Sequence, residues 1–193
     1  DMYLNSSGEF VRERSLNGPL AAAIPGLPAG LVYLSENFAN LTLEENFAPA
    51  IKLARNGFLT GARYGQMAGY RVNALRSNRD AATIFLDQGQ APKPGYKVIQ
   101  DDLAQTLAAI AISNGESFYR GDLAKKMVDS VRGAGGIWRL EDLRDYSVQI
   151  REPLVASYHG IKIVSSPPPS SGGVALIEAL NILQRYDLKK YKR

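Results

Sequence analysis

Three consecutive prolines running straight into two serines and two glycines, Pro167-Pro168-Pro169-Ser170-Ser171-Gly172-Gly173, constrain this chain more than any other stretch. Proline locks φ near about −65° and offers no N–H, so regular strand pairing has to stop there and the segment is expected to be extended. The next ten residues, Val174 to Leu183, are apolar almost all round and predict a helix that needs cover on both sides. At the junction, glycine backbone can approach a ligand closely and a helix N-terminus favours an anion. A plain turn explains the same residues, with serine as the cap and glycine for tight geometry. On residue types alone both readings stand for Ser170, Ser171, Gly172 and Gly173.

The pattern upstream changes period partway along. Residues 153–158 and 161–165 alternate apolar and polar around His159-Gly160, which predicts a hairpin, and 148–150 also reads as strand. Before them the spacing is mostly helical. Thr42 with Glu45 three residues later forms a capping box, and Pro49 is expected to break the helix it starts into two short pieces. Further helices are expected over 31–38, 60–75, 77–85, from a cap at Asp101 or Asp102 to Asn114-Gly115, and over 122–132. In the 60–75 helix, Tyr64, Met67 and Tyr70 fall at spacings of three and predict a core stripe. The short apolar run 20–24 reads as a buried strand, and the residues before Pro19 as polar turns around a short extended piece at Phe10 and Val11.

Composition removes several classes of function. The chain has 193 residues, 45% hydrophobic and 22% charged, the make-up of one globular domain or a piece of a larger one, without internal repeats. It contains no cysteine and one histidine, His159, which excludes thiolate metal sites, a cysteine nucleophile and a histidine-built metal site. His159 sits at a predicted turn, so it reads as a surface residue rather than a general base. The net charge of +4 is scattered, and only Lys189, Lys190, Lys192 and Arg193 cluster, so no nucleic-acid partner is expected. No apolar run reaches the roughly 18 residues of a membrane span, and Asp1-Met2-Tyr3-Leu4 does not read as a signal peptide. Gly133-Ala134-Gly135-Gly136 follows a helix instead of a strand, which makes it a C-cap and turn, not a phosphate loop.

A family resemblance covers nearly the whole chain. Pro167-Pro168-Pro169-Ser170-Ser171-Gly172-Gly173 leading to Leu180-Asn181-Ile182-Leu183 and Tyr186-Asp187-Leu188 resembles the large subunit of gamma-glutamyltranspeptidases. Four other segments agree in order and spacing: Ile24-Pro25-Gly26 through Gly30; Ala48-Pro49-Ala50-Ile51-Lys52-Leu53-Ala54 with Gly57-Phe58; Phe118-Tyr119-Arg120-Gly121; and Gly135-Gly136 with Glu141-Asp142-Leu143 and Tyr146.

The resemblance implies an α+β fold, a mostly helical portion with a few strands, belonging to the αββα sandwich of an N-terminal-nucleophile hydrolase. It implies residues 1–193 as part of one large-subunit domain. The implied partners are a small catalytic subunit cut from the same precursor and a gamma-glutamyl substrate such as glutathione, with no cofactor and no metal. The implied location is periplasmic or secreted. The family nucleophile is the first threonine of the small subunit, in a Thr-Thr-His-type motif; Thr42, Thr60, Thr83 and Thr106 are not followed by His. Arg12-Glu13 and Arg151-Glu152 do not lie in the family's substrate-carboxylate motif. The chain is therefore expected to hold no catalytic residue, with Ser170, Ser171, Gly172 and Gly173 as candidates near the substrate cleft. A related amidase, of the beta-lactam acylase or poly-gamma-glutamate type, and a non-enzymatic helical binding module remain as alternatives.

Overall fold

A computed structural model describes residues 2–191; Asp1, Lys192 and Arg193, the last two belonging to the basic chain end, lie outside the described residues. It divides into two compact units, Asp1–Val148 and Gln149–Arg193.

In the first unit the best-determined local signal is the Thr42 capping box. Thr42 Oγ1 accepts from the Glu45 N–H, and the Glu45 carboxylate accepts from the Thr42 N–H and hydroxyl. This starts α3 (Leu43–Asn56), which follows α1 (Arg12–Leu16) and α2 (Leu27–Phe38). Pro49 does not divide α3: one missing N–H forfeits a single backbone bond, while capping and the burial of Leu43, Phe47 and Ala54 hold both halves in one helix. Helix α2 begins earlier than expected, because Pro28 fits a first helical turn whose N–H groups have no intrahelical acceptor.

After α3, Gly57 turns the chain at φ +75°, where a side chain would also strike the Val98 carbonyl at 2.6 Å. Strand β1 (Phe58–Leu59) then pairs antiparallel with β2 (Lys97–Val98). Between them lie α4 (Ala62–Arg76) and α5 (Arg79–Phe85), the latter capped by Asn78. The Tyr64, Met67, Tyr70 stripe of α4 is core only at its start: Tyr64 is half-buried, in a T-shaped contact with Phe58 and with its hydroxyl donating to Phe85 C=O, while Met67 and Tyr70 further along the helix are exposed.

Helix α6 (Asp101–Ser113) starts at Gln100; Asp101 and Asp102 stand in its first turn rather than at its cap, where they complement the helix dipole. Asn114 ends it in the left-handed region. Short α7 (Glu116–Arg120) leads to α8 (Asp122–Gly133) and α9 (Leu140–Arg144). Gly133-Ala134-Gly135-Gly136 closes α8 as a turn, Gly136 N–H donating to Val131 C=O and Gly135 at φ +95°.

Two clusters form the core. Leu43 and Phe47 of α3 meet Ile110 and Ala111 of α6 and Phe118 of α7. Ala124 and Val128 of α8 meet Trp138 and Leu143. The run 20–24 is not a strand: its backbone is used by the Trp138 indole, which donates to Ala22 C=O at 2.9 Å, and Ile24 packs on the second cluster. Near the start, only a Leu4–Phe10 bridge is extended, and residues expected to be turn form α1.

The second unit is a hairpin and a helix. Strand β3 (Leu154–Tyr158) pairs with β4 (Ile161–Ser165), Leu154 opposite Ser165 and Tyr158 opposite Ile161. The turn sits at His159-Gly160, with φ +47° and +81°, and the His159 ring lies exposed against the edge of Tyr158. Residues 148–150 form no strand. Helix α10 (Ser171–Leu183) packs on the hairpin, and a 3₁₀ turn, Leu188–Lys190, follows.

Candidate functional site

The serine–glycine segment is built from the hairpin upward. Strand β4 delivers the chain to Pro167, where Ser170 N–H donates to Pro167 C=O at 3.1 Å, so the prolines form a turn rather than an extended arm. The bond closes over the two residues between them, whose fixed φ suits a bend as well as an extended run. Ser170 is the N-cap residue of α10 by backbone geometry, yet its side chain makes no capping bond. Both serines are exposed.

The two glycines are not equivalent. Gly173 is buried, and a Cβ there would lie 2.3 Å from Ser166 C=O, 2.9 Å from Ser165 Oγ and 3.2 Å from Leu154 Cδ1. Only glycine lets the helix start approach the end of β4 this closely. Gly172 faces open space, its nearest neighbour being Ser170 Oγ at 3.9 Å. Neither has positive φ, so turn strain is not why glycine stands at these positions.

Chemically, the first turn of a 13-residue helix leaves N–H groups without intrahelical acceptors, and here no acidic side chain stands among them. Two exposed hydroxyls and glycine backbone flank those donors. The arrangement can offer hydrogen bonds to an anionic or carbonyl oxygen; residues 170–173 themselves carry no basic side chain that would activate either hydroxyl as a nucleophile. Beside it, a groove of about 460 Å³ runs along α10 and β3 between Leu154 and Arg185, mostly apolar with Glu178 and Arg185 at its wall.

The other residues weighed for chemistry are occupied or isolated. Thr42 is the cap described above, Thr60 is buried with its hydroxyl donating to Lys93 C=O, and Thr83 donates to Arg79 C=O. Thr106 lies within α6. Arg12 and Glu13 belong to α1, while Arg151 and Glu152 are exposed ahead of β3. No cluster of metal-ligating side chains occurs among the described residues, and no helix among them is long and apolar enough to cross a membrane.

One polar cleft was not legible in the sequence. It holds about 340 Å³ between α2, the α6–α7 turn and the end of α9, with Tyr33, Glu36, Arg120 and Arg144 on its walls. At its base Tyr119 and Tyr146 stack with centroids 5.7 Å apart. The Tyr119 hydroxyl donates to Pro25 C=O at 2.6 Å and accepts from Ala29 N–H, and burial raises its pKa above the ordinary phenol value. Tyr146 closes over Gly26, where a Cβ would collide with its hydroxyl. The arginine charges are spent locally: Arg120 pairs with Glu116 at 3.5 Å and Arg144 with Asp145 at 2.8 Å, which holds the Asp145 carboxyl below its usual range. The tyrosines could be located among the resembling motifs, but nothing in their spacing announces that they stack.

Comparison with known proteins places this geometry. The sequence matches the Gamma-glutamyltranspeptidase family over residues 1–193. It is 36% identical over 191 residues to the Glutathione hydrolase proenzyme of Pseudomonas sp. (strain A14), covering 98% of this chain and 33% of that protein. It is 34% identical over 194 residues to the Acylase ACY 1 proenzyme of Pseudomonas sp. (strain V22), covering 97% of this chain and 35% of that protein. The structure resembles the crystal structure of Helicobacter pylori gamma-glutamyltranspeptidase with a TM-score of 0.92 at 34% identity, over 98% of this chain and 54% of that one. The chain thus spans about a third of the length of the curated relatives it matches. Its helix-rich α+β structure is that of the corresponding portion of an N-terminal-nucleophile hydrolase. With the family matched from one end of the sequence to the other and the fold shared with a solved member, this chain belongs to the gamma-glutamyltranspeptidase family.

Proposed function

We propose that this chain is part of the large subunit of a gamma-glutamyltransferase or glutathione hydrolase, made as a precursor that cleaves itself into two subunits within an αββα architecture. Both compact units belong to that one large-subunit domain. The observation that carries the reading is the family match over the full 193 residues together with the TM-score of 0.92 to a solved gamma-glutamyltranspeptidase. The proenzyme name of the 36% identical relative supports the precursor and hence a small-subunit partner.

In this reading the small-subunit threonine hydroxyl attacks the gamma-glutamyl carbonyl and its own amine takes the proton. The gamma-glutamyl C–N bond then breaks, the departing amine taking that proton, and water or the amine of an acceptor amino acid attacks the acyl-enzyme ester to release the gamma-glutamyl group and restore the threonine hydroxyl. No metal or organic cofactor takes part. The protein works in the periplasm or outside the cell. Residues 1–193 supply none of the reacting groups; they supply scaffold and, at Ser170, Ser171, Gly172 and Gly173, hydrogen-bond donors at the edge of the substrate cleft.

The test is made in the full precursor with Ser170→Ala and Ser171→Ala. The Ser170 hydroxyl makes no capping bond and both serines are exposed, so melting temperature is expected to hold while KM for a gamma-glutamyl anilide rises or self-cleavage slows. If both variants mature and turn over like wild type, the serine side chains have no part in the cleft and only the backbone donors remain. Anilide turnover by the 193-residue chain alone, abolished by a substitution within it, would overturn the assignment of the nucleophile to another subunit.

A second reading has a specific observation behind it. The 34% identity to an Acylase ACY 1 proenzyme makes a related amidase the alternative, decided by comparing turnover of a gamma-glutamyl anilide with that of a beta-lactam side-chain amide or poly-gamma-glutamate.

A further inference from the structure

Helix α2 carries a feature the proposed chemistry does not use. Leu27, Leu31, Leu34 and Phe38 recur at spacings of four, three and four, which keeps them on one seam along the helix. The seam is bare: the four are 73%, 37%, 54% and 72% exposed. No residue of α2 is buried. Where α2 runs beside α3, the seam borders an apolar hollow of about 450 Å³ floored by Phe47 and Leu107, in which Ser35 and Asn46 are the only polar side chains.

The shape of this surface selects its occupant. A 4-3-4 seam offers knobs at the pitch of a second helix; a strand, with period two, would meet only alternate ones. Twelve residues of α2 give a seam about 18 Å long, enough for three turns of a partner. The hollow has no charged lining to recognise a soluble polar ligand, and an apolar area this continuous is the mark of a contact that is not meant to open. Roughly two thirds of the length of the curated relatives lies outside the matched region.

We infer that the α2–α3 hollow is the seat of an amphipathic helix supplied by the remainder of the same precursor, with apolar side chains at i, i+3 or i+4, and i+7. The inference rests on the precursor reading above but concerns assembly, not chemistry.

The experiment uses the full precursor carrying p-benzoylphenylalanine in place of Phe38. Photolysis is expected to give an intramolecular cross-link whose peptide maps outside residues 1–193. A cross-link to a second copy, a cross-link confined to residues 1–193, or no cross-link would each overturn the inference. A variant independent of the bulky probe is Leu34→Cys, the only cysteine these 193 residues would then contain. Maleimide labelling of the native precursor should be at least about 10-fold slower than in denaturant, and equal rates would overturn it as well. Anilide turnover of unmodified precursor is measured separately: an inactive protein with the expected cross-link sinks the enzymatic reading alone, and an active protein without it sinks this one alone.

Discussion

Residues 2–148 and residues 149–191 handle apolar side chains in opposite ways. The first unit closes two clusters of its own around Phe47 and Phe118 and around Trp138 and Leu143. In the second, Gly173 is the single buried residue among those described, while Val155, Ile161, Val164, Val174, Leu176 and Ile182 stay exposed. Both contain regular, well-paired secondary structure. The difference teaches that hydrogen-bonded elements and a closed core are separate achievements, and that the hairpin and α10 reach the first without the second.

The largest expected effect tests this contrast directly. Leu143 is fully buried, so Leu143→Ala should cost about 3 kcal/mol in the chemical denaturation of the 193-residue chain. Leu176→Ala, on the open side of α10, should cost less than about 1 kcal/mol there, and considerably more in the full precursor. Equal costs for Leu176→Ala in the two proteins would show that α10 gains no cover in the precursor, and the contrast would lose its meaning.

The next effect separates the two glycines. Gly173→Ala forces a methyl against the Ser166 carbonyl, at 2.3 Å without relaxation, and should destabilise by about 2 kcal/mol. Gly172→Ala meets nothing and should be neutral or stabilising by up to about 1 kcal/mol, as alanine is the better helix former. Thermal melts of the two variants decide it; a reversed order would mean that the turn, not the contact with β4, dictates glycine.

The smallest effect belongs to the first unit alone. Thr42→Ala removes a cap worth about 1 kcal/mol. Hydrogen bonds from the Thr42 side chain and then its backbone lower the Glu45 pKa below 4.5. A lowered folded pKa stabilises above the unfolded value, and that stability is lost as pH falls through the folded one. Acid titration of the fold should therefore show Glu45→Gln insensitive to this step below about pH 4.5, and Thr42→Ala largely insensitive too. An unchanged acid profile in both variants would detach the capping box from the pH dependence.

How much of this was legible in sequence depended on the range of the interaction. The Thr42 box, the Asn114 stop and the His159-Gly160 hairpin depend on residues within a few positions, and each was readable from its own letters. Strands β1 and β2 are two residues each and find one another across α4 and α5, so no local period betrays them. The Tyr64, Met67, Tyr70 spacing correctly names one face of α4 but cannot say whether anything lies against that face. Likewise 20–24 and 148–150 have strand-like composition, yet neither stretch is assigned to a strand, because composition alone does not place a neighbouring strand beside them. At the candidate site the helix start was visible, whereas the uncapped serine and the packing demand on Gly173 arise from where β4 ends, which sequence spacing does not report.

The β1–β2 pair also bears on how the chain can change length. Its ladder is continued by Thr60 N–H to Tyr96 C=O, Gly95 N–H to Thr60 C=O and Gln100 N–H to Ala54 C=O. Residues 60–96 are thus a detour cinched at its neck, while α3 and α6 pack against each other across the base. Closing a longer detour costs only slowly growing entropy. An insertion beside the exposed Gln88 is therefore expected to leave the α3–α6 contact in place, since the neck holds the two ends of the detour together whatever its length.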